Sequence, residues 1–315
     1  MTEFIPSWDW NRVIVEPWTI YFASYFWTAI MGLLVAMACS LVGQWMVLRR
    51  IALMGDAISH SVLPGLALAF IFVQSRGPWA MFFGALAAGI VTTFLIEVLQ
   101  RKSRIKADSA IGIVFSTLFA LGVVLISIFS GHIDLDTDCV LYGEIALIAL
   151  EPKVIFHGVE IAPPSVLQMI LINLIVLAIT LIFYRPLLVS SFDSALADSL
   201  GLPTKLIHYS LMTLLSIVIV SSFKAVGAIL VVAMLILPAA TARLLSDRLP
   251  HMMTLGVLHA ALSAFLGIHL AVWLNCSIAA AMTVAGGALF GVVWLTTSYC
   301  YGRMGGKSIE IQLAR

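Results

Sequence analysis

A chain of 315 residues with 62% hydrophobic residues, only 10% charged residues and a mean hydropathy of +1.08 lies outside the range of soluble globular proteins. Its formal net charge of +1 leaves no basic stripe for nucleic acid and no acidic tail. Four cysteines, Cys39, Cys139, Cys276 and Cys300, are scattered without a CxxC pair, which argues against a disulfide framework and leaves packing as their role. The expected fold class is therefore an all-α polytopic membrane protein.

The chain opens with "MTEFIPSWDWNRVIVEPW", which carries acidic residues and three tryptophans but no basic stretch followed by an apolar one. No cleavable signal is expected; residues 1–19 read as an amphipathic segment lying in the membrane interface. A spanning helix needs roughly 20 apolar residues. Nine stretches qualify, at about 20–48, 53–74, 79–99, 108–130, 165–185, 205–222, 225–246, 252–274 and 278–300, with eight as the alternative count. Nine spans with the N-terminus outside collect Arg49, Arg50, Arg101, Lys102, Arg104, Lys106, Arg185, Lys205, Arg243, Arg248, Arg303, Lys307 and Arg315 on one side. Only Arg12, Arg76, Lys153 and Lys224 are left on the other. Positively charged short loops stay in the cytoplasm, so this sorting also sets the orientation, with residues 301–315 as a cytoplasmic tail. Four spans precede the fifth and four follow it in opposite sense, an arrangement compatible with an inverted repeat.

The second span holds the unusual residues. In "LMGDAISHSVLPG" (53–65), Asp56 and His60 are four apart, so on a helix they share a face with Cβ atoms roughly 5–6 Å apart. An ionisable group inside the hydrocarbon region costs several kcal/mol on insertion scales and is a functional candidate by default. One carboxylate and one imidazole suit first-row divalent ions such as manganese, iron and zinc, whereas calcium and magnesium prefer oxygen alone. Gly55, Ser59, Ser61, Pro64 and Gly65 make the helix polar and easily broken, as transporter ion sites are. The plainer alternative makes Asp56 an N-cap and His60 a hydrogen-bonding partner of a neighbouring helix. Glu97 and Asp108 lie beside the basic cluster 101–106 and are expected to pair with it at the interface.

The loop 131–164 falls outside and holds Asp134, Asp136, Asp138, Glu144, Glu151 and Glu160. Such an acidic mouth concentrates cations, and His132, Asp134, Asp136 and Asp138 are the candidates to assist metal entry, with His157 nearby. On the cytoplasmic side, "YRPLLVSSFDSALADSLGLPTK" (184–205) reads as a short helix started by Asp193 or Ser194 and stopped by Gly201 and Pro203. Phe192, Ala195, Leu196 and Leu200 give it an apolar face with no membrane to enter, which fits a partner protein. Its alternative is a helix folded back on its own bundle. His208 and His251, at cytoplasmic span ends, are expected to be solvated, and His259 and His269 to bond between helices. No GxxxxGK[ST] phosphate loop occurs, so ATP hydrolysis by that route must come from a partner.

Three segments carry a resemblance: "RRIALMGDAISHSVLPGLALAF" (49–70), "FDSALADSLGLP" (192–203) and "VGAILVVAMLILPAATARLL" (226–245). In that order they resemble the membrane permease subunits of manganese/zinc/iron ABC importers, over essentially residues 20–300. The resemblance implies one half of a type II ABC importer in a bacterial inner membrane. Its expected partners are a second permease, identical or related, two cytoplasmic ATPase subunits and an external metal-binding protein. It implies no tightly bound cofactor, only a transported manganese, zinc or iron ion, with Asp56 and His60 as intramembrane ligands. Residues 186–204 would hold the coupling helix, bearing Phe192, Asp193, Ala195, Leu196, Leu200 and Gly201, and residues 134–145 an external re-entrant segment. Two rival readings of the sequence are a gradient-driven secondary metal transporter and an ABC permease for a metal chelate. A third, a membrane metalloenzyme, lacks the HExxH motif or an equivalent third ligand.

Overall fold

The computed structural model describes residues 6–74, 78–129, 145–156 and 159–313. A π-helical turn Asn11–Val15 and the short α1 (Glu16–Thr19) lead into α2 (Phe22–Leu48), α3 (Leu53–Val73), α4 (Pro78–Lys102) and α5 (Ala107–Phe129). A 3-10 turn, Ile145–Leu150, and a minimal hairpin of β1 (Ile155–Phe156) and β2 (Val159–Glu160) precede α6 (Pro164–Ile182). Then come α7 (Tyr184–Phe192), α8 (Ser194–Ser199), α9 (Thr204–Leu245), α10 (Leu249–Leu274) and α11 (Ile278–Leu313).

α2 is the core of the bundle. Val35, Ala38, Cys39, Val42 and Trp45 are all fully buried, although this helix is apolar on every side. Lipid tails are as apolar as leucine, so hydrophobicity alone does not drive helices together in a bilayer; close van der Waals approach does. The small residues supply that approach. A Cβ on Gly43 would stand 2.0 Å from the Leu235 carbonyl oxygen of α9, and one on Gly65 of α3 would stand 2.2 Å from that of Gly84 in α4. Gly43→Ala is therefore expected to lower stability by about 1–3 kcal/mol, read as a lower thermal unfolding temperature in detergent. Gly112→Ala, where nothing lies within 4 Å, is the control expected to show no such loss.

Within α9, Gly227 takes φ 69° and ψ 174°, a conformation open to glycine and costly for residues with a Cβ. The break divides the helix into two limbs that fold back along each other. Gly55 of α3 makes the geometry plain, since a Cβ there would lie 3.3 Å from Leu235 and 3.9 Å from Ile219. A straight helix would hold those two residues about 24 Å apart. Both ends of α9 thus sit at the end of the bundle where α2 finishes. Arg49 meets His208 near the start of α9, and Gln44 donates to the Met252 carbonyl just beyond its end.

Among the described residues, eight helices are long and apolar enough to cross a membrane, and the second limb is the shorter apolar helix Leu230–Leu245. The stretch expected as an independent span at 225–246 is that limb, shortened by the Gly227 break. The protein is a multi-pass membrane protein.

The N-terminal segment is stitched to α10. His269 Nδ1 lies 2.9 Å from the Val13 carbonyl, Trp18 Nε1 donates to His269 Nε2 at 3.4 Å, and Trp273 Nε1 donates to the Pro6 carbonyl at 3.0 Å. Both bonds to His269 are satisfied by one neutral tautomer, protonated on Nδ1. His269 thus bonds the N-terminal segment, whereas buried His259 has no partner at Nε2 among the described residues.

Candidate functional site

Asp56 and His60 meet as the four-residue spacing requires, with His60 Nε2 3.4 Å from Asp56 Oδ1. α3 begins at Leu53 with Ala52 as its N-cap and no side-chain cap bond, so Asp56 lies inside the first turn and is not the cap. A carboxylate there interacts favourably with the helix dipole. The helix's hydroxyls turn inward on their own backbone: Ser59 Oγ donates to the Asp56 carbonyl and Ser61 Oγ to that of Ala57. Pro64 has no N–H to return to the His60 carbonyl, which weakens the helix one turn beyond the pair.

α3 is gripped on three sides by close crossings, at Gly65 with α4, at Gly122 of α5 with Pro64, and at Gly55 with both limbs of α9. The pair nevertheless opens sideways, with Asp56 42% and His60 32% exposed. The His60 ring rests between Phe115 and Phe119 of α5, at centroid distances of 5.9 and 6.0 Å. The two donor atoms stand 3.4 Å apart on partly exposed side chains, close enough for one ion to meet both. They can bind one ion and leave its remaining coordination positions free. Among the described residues no group of three or more His, Cys, Asp and Glu side chains is placed to hold a metal.

The expected external-mouth residues His132, Asp134, Asp136 and Asp138, like Glu144 and His157, lie outside the described residues. Two further acids of the loop serve local structure. Glu151 accepts from the backbone N–H and hydroxyl of Ser165 at the start of α6, and Glu160 pairs with Lys153 at 2.9 Å beside the small hairpin. Glu97 pairs with Arg101, as the basic cluster led one to expect, and Asp108 stands in the first turn of α5.

The segment holds the short helix expected from Asp193 onwards, and a further helix, α7, precedes it. α7 ends at Phe192, and Asp193 turns the chain with extended backbone, its Oδ1 accepting from Leu196 N at 2.9 Å to cap α8. Asp193, not Ser194, is the cap. Gly201, at φ 75°, closes α8, with Leu202 N returning to the Ala197 carbonyl across the turn. Thr204 Oγ1 donates to Asp198, which ties α8 to the start of α9. Ala197 alone points inward and is fully buried, while Phe192, Leu196 and Leu200 are exposed by 65%, 50% and 63%, with Ala195 beside them. The apolar face expected from the sequence is thus presented outward. What sequence reasoning missed is its anchorage. His208 is not simply solvated but meets Arg49, and Ser190 and Ser191 on α7 also accept from that arginine. A serine pair and a span-end histidine carry no motif, so only a run of polar residues opposite an arginine could have signalled it.

The chain is a bundle of membrane-crossing helices with a partly exposed carboxylate–imidazole pair inside one of them and an outward-facing helix at one end. The profile of the ABC 3 transport family matches residues 22–297, and the chain belongs to that family. It is 41% identical over 269 residues to a manganese transport system membrane protein, MntD, of Bacillus subtilis (strain 168), covering 85% of this chain and 90% of that one. It is 42% identical over 266 residues to a zinc transport system membrane protein, TroD, of Treponema pallidum (strain Nichols), covering 84% and 72% respectively. Among solved structures it is similar to PsaBC from Streptococcus pneumoniae in complex with Fab. There the TM-score is 0.73 at 32% identity, covering 90% of this chain and 94% of that one.

Proposed function

We propose that this chain is the permease subunit of an ATP-driven importer of divalent transition metal ions, manganese, zinc or iron, in a bacterial plasma membrane. The observation that carries the reading is the Asp56–His60 pair, a carboxylate and an imidazole 3.4 Å apart within a helix long and apolar enough to span the membrane, in a chain similar to manganese and zinc transport proteins. The ion is cargo, and no tightly bound cofactor is needed. An accessible carboxylate facing lipid would be costly, so the side opening of the pair fits coverage by a second permease subunit, identical or related. The missing coordination positions would then come from that subunit, from water or from the segment 130–144.

The exposed face of Phe192, Leu196 and Leu200 supplies the seat for one of two cytoplasmic ATPase subunits, and the acidic external loop receives the ion from an external binding protein. The positive-inside distribution of lysine and arginine supports an N-terminus outside and a C-terminus in the cytoplasm. Transport requires only that the pair bind the ion differently in the two states driven by the ATPase. One carboxylate and one imidazole can both engage in one geometry and lose a ligand in the other. A gradient-driven carrier would not need the docking face, and a chelate permease would not need intramembrane metal ligands.

The test is reconstitution of the chain with its ATPase and binding protein in liposomes, followed by uptake of radiolabelled manganese, zinc and iron with ATP or a non-hydrolysable analogue. Uptake of one or more of these ions that stops with the analogue supports the reading. Uptake driven by an imposed ion gradient without ATP, or none of the three ions moving, overturns it.

A further inference from the structure

Arg49 caps the end of α2 and reaches two other elements at once. Its Nε and Nη2 donate to Ser191 Oγ and Ser190 Oγ, each at 2.9 Å, and its Nη1 lies 3.5 Å from His208 Nδ1. Both serine hydroxyls spend their own protons on the Leu187 carbonyl, so their lone pairs are left for the guanidinium. Among the described residues Arg49 forms no ion pair. Its half-buried charge is desolvated, which lowers its pKa from the ordinary arginine value, and neutral acceptors on α7 and α9 hold it in place.

The position of this clamp matters. Ser190 and Ser191 immediately precede Phe192 and Asp193, where the outward-facing helix begins. On the other side, Arg50 takes φ 59°, Ile51 N bonds the Met46 carbonyl, and α3 starts at Leu53, one turn before Asp56. The turn between α2 and α3 is therefore closely hydrogen-bonded, and one side chain fastens it to the end of α7, from which α8 starts. We infer that Arg49 is a positioning residue that makes α8 and the Asp56 end of α3 move as one body, without itself touching the ion. The inference rests on the transport reading above, since α8 must be where the ATPase pushes. Fixed hydrogen-bonded links between elements are how such movements travel.

The test uses the full complex with its ATPase. Arg49→Ala is expected to raise the ATP hydrolysed per ion imported by roughly tenfold, and Ser190→Ala with Ser191→Ala, which leaves the arginine in place, to act in the same direction. Arg49→Lys, which keeps the charge but not the fork, should recover only part of the coupling. A mere structural brace would lower yield and thermal stability and leave that ratio unchanged. Independently of cargo, spin labels at Ser199→Cys and Leu53→Cys, with the native cysteines replaced, report the α8 to α3 distance with and without ATP. That distance should hold in the parent and become nucleotide-dependent in Arg49→Ala. If Arg49→Ala leaves the distance as fixed as in the parent, the clamp is refuted. If the parent moves none of the three ions, the transport reading fails while the label distance still decides the clamp.

Discussion

Asp56→Asn and His60→Ala are each expected to reduce ATP-driven metal uptake at least about 100-fold, equivalent to about 2.7 kcal/mol, while the protein still inserts and assembles. The asparagine keeps the shape of the aspartate and removes its charge, which is what a divalent ion requires of an oxygen ligand. The loss should not come from unfolding. Asp56 caps nothing, because the N-cap is Ala52, so neutralising it forgoes only the dipole interaction of a first-turn carboxylate, about 0.3–1 kcal/mol. His60 is flanked by Phe115 and Phe119, and its truncation leaves space beside rings that are themselves partly accessible. Uptake at the parent rate in both variants would remove the pair from the ion path.

Leu196→Asp should abolish co-purification of the ATPase and with it ATP-driven uptake, while metal binding by the permease itself persists. Leu196 lies in the middle of the exposed apolar face, with Phe192 and Leu200 four residues to either side. A half-exposed leucine contributes little to the fold that carries it, but a charge at the centre of a docking face leaves an unpaired carboxylate in the interface. The inward neighbour makes the contrast. Ala197 is fully buried, and Ala197→Asp should unseat α8 and reduce the amount of folded protein. Should the Leu196→Asp complex co-purify and transport normally, the ATPase docks elsewhere.

The sequence displayed what has a period or a strong solvent preference. Apolar length located the membrane helices, the i, i+4 spacing placed Asp56 beside His60, and Gly201 with Pro203 ended α8 where the turn chemistry said it would. It did not display the features that depend on what a residue meets from afar. A reversal is expected between the spans at 205–222 and 225–246, but not its place at Gly227, three residues past Lys224 and inside the second apolar run, nor the packing of the second limb on Gly43 and Gly55. The start of the helix at Asp193 or Ser194 is legible, but the separate helix Tyr184–Phe192 before it is not, because it has no side-chain cap of its own, and only the Asp193 cap bond decides between the two starts. Arg49 was counted as one more positive charge on the cytoplasmic side, although its neighbours lie 141 to 159 residues away in sequence.

The N-terminal seam sets an order of events during synthesis. Pro6, Val13 and Trp18 find their partners on His269 and Trp273, which follow them by 251 to 267 residues. The ribosome must therefore reach α10 before residues 6–18 can make these bonds. The seam thus closes only on a bundle that already contains α10.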